Sequence, residues 1–240
     1  TIAGLKLTFD QDLVSGSLMD GTGIYEGTGY YGIDQVTFKE GMNFFQMDKI
    51  EITGSSSVND ETTLDVDMTT KIEALSVAGE SFTNNRMTLE FKGLDIATLQ
   101  EFAKLSQRMQ DAMLAGQDVS AYNMQMMNLM TTMLTKGPSV HMSDTSVTTP
   151  QGDITAKLDF VVDGNKMDPN NPMAIMTAMS GQFDAEAPEE FFAIRGMAPM
   201  LEQWQQMNFI VRENGKVKVN ATYQDGMPMI NGQPMQGIPM

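Results

Sequence analysis

The sequence contains no cysteine and a single histidine in 240 residues. No disulfide framework and no thiolate chemistry can be built from it. A zinc site made of several His or Cys ligands is excluded with them. Basic residues are also scarce: 15 Lys+Arg stand against 31 Asp+Glu, a formal net charge of −16. Such a surface repels phosphate backbones and anionic membranes, so nucleic acid is not an expected partner. Long apolar runs are missing. The most hydrophobic stretches carry Gln, Asn, Lys or Glu every few residues, short of the roughly 18 apolar residues a span needs. Mean hydropathy is −0.22. No signal peptide and no initiator Met open the chain, and Ile2–Phe9 alternates like a strand at once. We therefore expect a natural chain that begins earlier.

What is abundant is methionine, 24 residues in all, within a hydrophobic fraction of 41%. That fraction is enough for a core in one large domain or two small ones.

Period-two alternation predicts β structure over the strand block 1–94. Leu5, Leu7 and Phe9 alternate with Lys6, Thr8 and Asp10. Leu64, Val66, Met68, Ile72 and Ala74 oppose Asp65, Asp67, Lys71 and Glu73. After Ala74 the phase moves to Leu75 and Val77, which predicts a β-bulge. Asp20-Gly21, Glu26-Gly27, Glu40-Gly41 and Asn84-Asn85 read as turns. Alternation with one polar face implies antiparallel strands.

The period changes in a helical hairpin over 95–136. Asp95 is a plausible N-cap, Leu99, Phe102, Met109 and Met113 follow at helical spacing, and Gly116 ends the run. A second run carries Tyr122, Met126, Leu129 and Met133, with Met124, Met127, Met130 and Leu134 widening the apolar face. Strands resume over 137–164. A helical block over 170–207 follows, with a kink or break at Pro199 and a stripe of Ile194, Met197, Leu201 and Trp204. A terminal hairpin over 208–232 turns at Asn214-Gly215, the preferred two-residue turn. The expected fold class is α+β, one domain: a long curved antiparallel sheet, in meander order, with a methionine-rich αα-hairpin and further helices packed on one face.

Motifs with catalytic meaning fare poorly. Gly27-Thr28-Gly29-Tyr30-Tyr31-Gly32 matches a dinucleotide fingerprint, but a strand pattern follows where a helix is required. Asp163-Gly164-Asn165-Lys166-Met167-Asp168 begins like a calcium loop, then puts Met167 at a ligand position and Asp168 at the glycine position. His141, between Val140 and Met142, reads as a half-exposed strand histidine, and no GxSxG elbow accompanies it. Asp65/Asp67 and Glu189/Glu190 could supply paired carboxylates for glycoside hydrolysis. The simpler readings are a solvated strand face and acids in a first helical turn. Asn220-Ala221-Thr222 is a lone sequon in a strand. No catalytic residue, metal ligand or cofactor is assigned.

The methionines admit two readings. Met fills irregular gaps in a core, and it also makes adaptable apolar surfaces for lipids or partners. Thioether copper binding at Met124/Met127 or Met173/Met176/Met179 is a third. Met124 and Met127 fall off the Tyr122/Met126/Leu129/Met133 line, so the helix is apolar on two faces and must bury both or expose one. The candidate ligand- or partner-binding residues are Met124, Met127, Met130, Met133, Tyr122 and Trp204.

The ending Lys216-Val217-Lys218-Val219-Asn220-Ala221-Thr222-Tyr223-Gln224-Asp225-Gly226, followed by Met229-Ile230-Asn231-Gly232-Gln233-Pro234-Met235, resembles that of the YdgA-like family, gammaproteobacterial envelope proteins of unknown function. The Gly4–Asp10 strand with Gly16-Ser17, and the strand–two-helix–strand middle, are similar to it as well. The resemblance covers most of the chain, as the C-terminal portion of longer proteins. It implies a periplasmic location, tethered to the inner membrane through an N-terminal anchor outside this sequence, and it supplies no catalytic residues to carry over.

Together these readings lead us to expect a non-enzymatic periplasmic domain that binds an apolar, lipid-like ligand or another envelope protein. One alternative is a hydrolase using paired carboxylates. The other is a structural segment completing the sheet of a larger envelope protein, its partner being the N-terminal half of the natural chain. Exposed edge strands at residues 2–9 would favour the latter.

Overall fold

A computed structural model describes residues 1–17, 22–40, 43–77, 79–168 and 171–235. Five long strands come first: β1 (Ile2–Ser15), β2 (Ile24–Glu40), β3 (Asn43–Asn59), β4 (Thr63–Val77) and β5 (Glu80–Asp95). The helical hairpin follows, α1 (Ile96–Leu114) and α2 (Ser120–Leu134). Then come β6 (Ser139–Thr149), β7 (Gly152–Val162), a 3₁₀ turn at Gly164–Lys166, α3 (Pro172–Ala178) and β8 (Met179–Pro188). The chain ends through α4 (Glu189–Ala193), α5 (Ala198–Gln206), β9 (Val211–Glu213), β10 (Lys216–Gln224), β11 (Met227–Ile230) and β12 (Gln233–Pro234).

All strands join one antiparallel sheet in chain order from β1 to β8, then β10, β11 and β12, with β9 also on β10. The α+β class and the long antiparallel meander are as the alternation implied. Local connections make consecutive strands neighbours, the least entropically costly route to so wide a sheet.

Alternation sorts side chains onto two faces. One cross-strand row runs Asp10, Thr28, Ser55, Asp67, Glu90, His141, Asp159, Gln182 and Thr222. The adjacent row, on the opposite face, runs Phe9, Gly29, Gly54, Met68, Leu89, Met142, Leu158, Phe183, Ala221 and Ile230. One face is thus hydroxyl- and acid-rich and the other apolar. The apolar face is only half covered. In β7, Ile154, Ala156, Leu158 and Phe160 are half-buried, while Asp153, Thr155, Lys157 and Asp159 are exposed.

Helices gather at the strand ends. At one end, Ile96 N–H donates to Thr62 O at 2.9 Å and Gln100 bonds Ser15. At the other, Arg195 beyond α4 pairs with Glu80. Two small cores result. Leu105 is sealed in the hairpin end, and Leu201 packs with Ile210 and Val217 beside Phe192, Trp204 and Val219. The total accessible surface is 14813 Å². A compact monomer of this mass exposes about 10,600 Å². The chain thus leaves far more surface open than a closed core would.

Several local expectations are corrected. Glu26-Gly27 lies inside β2 and Asn84-Asn85 inside β5, not in turns. Asp20-Gly21, and Gly41 of the Glu40-Gly41 pair, lie outside the described residues. The phase change after Ala74 is not a bulge, since β3–β4 keeps one register from Phe45↔Val77 to Asn59↔Thr63. Instead, a row without ladder pairs crosses the sheet at Gly4, Asp34, Lys49, Glu73 and Asn84. Gly4, Lys49 and Asn84 on alternate strands are left-handed there, with φ of 70, 48 and 52°. That twist absorbs the step of three between Ile33 and Val36, or Ile72 and Leu75. A Cβ on Gly4 would meet the Asp34 side chain, and its positive φ favours glycine. The helical block over 170–207 contains strand β8. The expected break near Pro199 is present: α4 ends at Ala193, and Pro199 lies in the first turn of α5.

Candidate functional site

The hairpin is built by its caps. The Asp95 carboxylate accepts from Thr98 N–H at 2.8 Å and from Thr98 Oγ1 at 2.6 Å, which starts α1. Gly116, at φ 67°, ends it, and Gln117 N–H reaches back to Ala112 O at 2.9 Å. Asp118 then accepts from Ser120 N–H at 2.9 Å and orders the start of α2.

Within α2 the two apolar faces have opposite fates. Tyr122, Met126 and Leu129 are half-buried and Met133 is buried, its Sδ accepting the Asp95 N–H at 3.3 Å. Met124, Met127 and Met130 are 69%, 71% and 52% exposed. Steps of three rotate by about −60° each, so Met133 ends up opposite Met124. Met113 and Leu114 are exposed as well, at the turn into α2. No charged residue occurs anywhere in Ser120–Leu134. The candidate residues therefore divide. Met124, Met127 and Met130 share an outward stripe. Tyr122 and Met133 face inward. Trp204 packs in the α5 core at the other strand end.

Polar chemistry sits on the acidic sheet face. His141 Nδ1 lies 2.7 Å from Asp159 Oδ1, and Nε2 lies 2.9 Å from Ser139 Oγ. These are Ser–His–Asp distances, brought together because Ser139 and His141 are two apart on β6 and Asp159 opposes His141 on β7. Ser139 sits in the ladder between Lys92 of β5 and Val161 of β7, where strand N–H groups lie in the sheet plane. His141 is a half-exposed strand histidine in a polar row with Ser139 and Asp159.

Three of the four candidate carboxylates, Asp65, Asp67 and Glu189, have partners. Asp65 accepts from Gly93 N–H at 2.9 Å at a register shift in β4–β5, and Asp67 holds Lys92 at 2.6 Å. That hydrogen bond holds the Lys92 ammonium above its ordinary value. Glu189 pairs with Arg212. A shallow depression of 390 Å³ is lined by Thr8, Asp10, Thr28, Tyr30, Thr53, Ser55, Asp67 and Thr69. Its acids Asp10 and Asp67 are three strand spacings apart, about 14 Å, against about 5–9.5 Å in glycosidases. Asp48, Glu101, Asp118 and Glu186 are lowered by hydrogen bonds from Gln35, Lys104, Ser120 and Lys216 respectively. A general acid needs the opposite shift. The calcium-like segment forms the 3₁₀ turn, where Asp163 caps Asn165 N–H at 3.1 Å. Among the described residues no group of three or more His, Asp or Glu converges on a metal position, and no helix is long and apolar enough to cross a membrane.

The Glu186 and Lys218 shifts have a consequence for stability. The Lys216 hydrogen bond holds Glu186 down, and the Glu213 hydrogen bond holds Lys218 up. A lowered carboxyl stabilises the fold above the ordinary glutamate value of about 4.3 and loses that contribution as pH falls through its folded value. A raised lysine stabilises below about 10.4 and loses its contribution as pH rises through its folded value. Between about pH 5 and pH 3, the melting temperature of Glu186→Gln is expected to fall less than that of the parent. Parallel calorimetric curves would remove Glu186 from the acid response.

No curated protein and no solved structure matches the chain. A family model does match, that of a bacterial protein of unknown function (DUF945), over residues 1–237. With nearly the whole sheet and both helical ends inside that match, the chain belongs to this bacterial family of unknown function.

Proposed function

We propose that the chain is a non-enzymatic binding domain of the bacterial cell envelope, on the periplasmic side. It docks a lipid-like ligand or another envelope protein through the outward stripe of α2. The observation that carries this reading is the exposure of Met124, Met127 and Met130 on a charge-free helix of a protein with net charge −16. Exposed methionines cost hydration free energy unless a partner covers them, and their flexible thioethers suit an apolar surface of variable shape. Absence of cysteine fits an oxidising compartment. The resemblance of the terminal hairpin to YdgA-like envelope proteins supports the same location.

A photo-crosslinking amino acid at position 127, in producing cells, is expected to yield one discrete adduct, to a protein or to a lipid. The same probe at position 159, on the polar face, yields none. Met124→Glu with Met127→Glu is expected to abolish the adduct from a probe at 130 while leaving the melting temperature unchanged. Equal labelling at 127 and 159 would sink the proposal.

A further inference from the structure

Among the described residues β1 is an edge of the sheet, and residues 2 to 14 are all exposed, with Ile2, Leu5, Leu7, Phe9 and Leu13 more than half so. Natural sheets blunt such edges with short strands, proline, bulges or several charges. The opposite edge obeys: β12 is two residues, Gln233–Pro234. β1 is blunted only in part: it runs 14 residues without proline, with Lys6, Asp10 and Asp12 as its charges and a register shift after Leu13.

The sequence of this edge is complementary to itself. Its regular portion is bounded by left-handed Gly4 on one side and by the register shift after Leu13 on the other. That leaves residues 5–13, whose midpoint is Phe9. A second copy laid antiparallel about a two-fold axis through Phe9 pairs residues that sum to eighteen. Leu5 then opposes Leu13, Lys6 opposes Asp12, Leu7 opposes Gln11, Thr8 opposes Asp10, and Phe9 meets its own copy. Each unlike pair occurs twice, as an isologous interface requires. Even residues stay on the acidic face and odd residues on the apolar one, so both faces continue across the axis. Opposite charges and apolar pairs directly across an antiparallel ladder are the stabilising cross-strand combinations, and this register places no two like charges opposite each other.

We propose that the protein self-associates through β1, edge to edge, centred on Phe9, and so doubles the sheet. The partner of this edge is a second copy of the chain. The inference is independent of the α2 stripe, which lies on a helix at the end of the strands.

The chain offers a clean test because it has no native cysteine. In such a ladder the two position-9 Cα atoms would lie about 4.5–5.5 Å apart, within the span a disulfide bridges. Phe9→Cys under mild oxidation is expected to form a disulfide-linked dimer of twice 26.4 kDa at least ten times faster than Leu7→Cys, which opposes position 11. Sedimentation of the cysteine-free chain is expected to show a monomer–dimer equilibrium. Lys6→Asp weakens it at least tenfold, and Lys6→Asp combined with Asp12→Lys restores it. Circular dichroism confirms that each variant is folded. Equal crosslinking rates at 7 and 9, a monomer at every concentration, or failure of the charge swap to rescue would each overturn the proposal. An edge already covered by chain preceding Thr1 in a longer natural protein would appear as the second of these.

Discussion

Leu201→Ala is expected to cost about 2–5 kcal/mol, the range for truncating a sealed leucine with a residual cavity. Leu201 is 1% exposed and touches the two other buried members of its cluster, Ile210 and Val217. α5 has nine residues, too few to hold a helix without tertiary contacts. Leu201 and Trp204 are the α5 side chains in that cluster. Trp204, the single tryptophan, packs against the same cluster, so its fluorescence reports the loss directly. Urea unfolding followed at that residue should show the midpoint moving down. A change below about 1 kcal/mol would mean that α5 is held by something other than this core.

Met133→Ala is expected to destabilise by about 2–5 kcal/mol, whereas Met124→Ala and Met127→Ala should stay within about 0.5 kcal/mol. All three residues sit on one helix and are the same chemical type. Met133 is 6% exposed and accepts the Asp95 N–H, so its removal opens a cavity beneath the α1 cap and leaves a buried donor unpaired. Met124 and Met127 face solvent. Chemical unfolding of the three variants in parallel decides the matter. Equal losses at all three positions would make the outward stripe part of a core and remove the basis for docking there.

Much of the architecture was legible in residue order. Alternation in 5–9, 64–72 and 156–162 reports strands because one face of each meets apolar neighbours. Asn214-Gly215 reports a hairpin because both residues must take positive φ, and they do, at 52 and 73°. β8 was concealed by small residues. Met179, Gly181, Phe183, Ala185 and Ala187 alternate cleanly with Ser180, Gln182, Asp184 and Glu186. However, glycine and alanine carry little hydrophobic signal, and neighbouring helical patterns masked the rest. The turns misplaced at Glu26-Gly27 and Asn84-Asn85 misled for a related reason. Glycine and asparagine mark positive φ, which a strand also adopts: Gly27 inside an unbroken ladder, Asn84 where the ladder is interrupted.

The candidate site divided in the same way. The composition of α2 made plain that it is apolar on two faces. Which face is covered depends on where Asp95 and α1 sit, and that is a long-range matter. Ser139, His141 and Asp159 came together only through the β6–β7 register, a pairing no local pattern encodes.

The sequence by itself determined the strand and helix periods, the −16 charge and the absence of thiol chemistry, because these depend on residue type and spacing alone. Only the tertiary structure decided that β1 is the outermost strand among the described residues, that Met124, Met127 and Met130 stay in solvent while Met133 does not, and that Asp10 and Asp67 stand about 14 Å apart across the sheet. Each of these is a statement about which surface has a neighbour. Burial and pairing are settled between segments distant in the chain, so no window of sequence contains them.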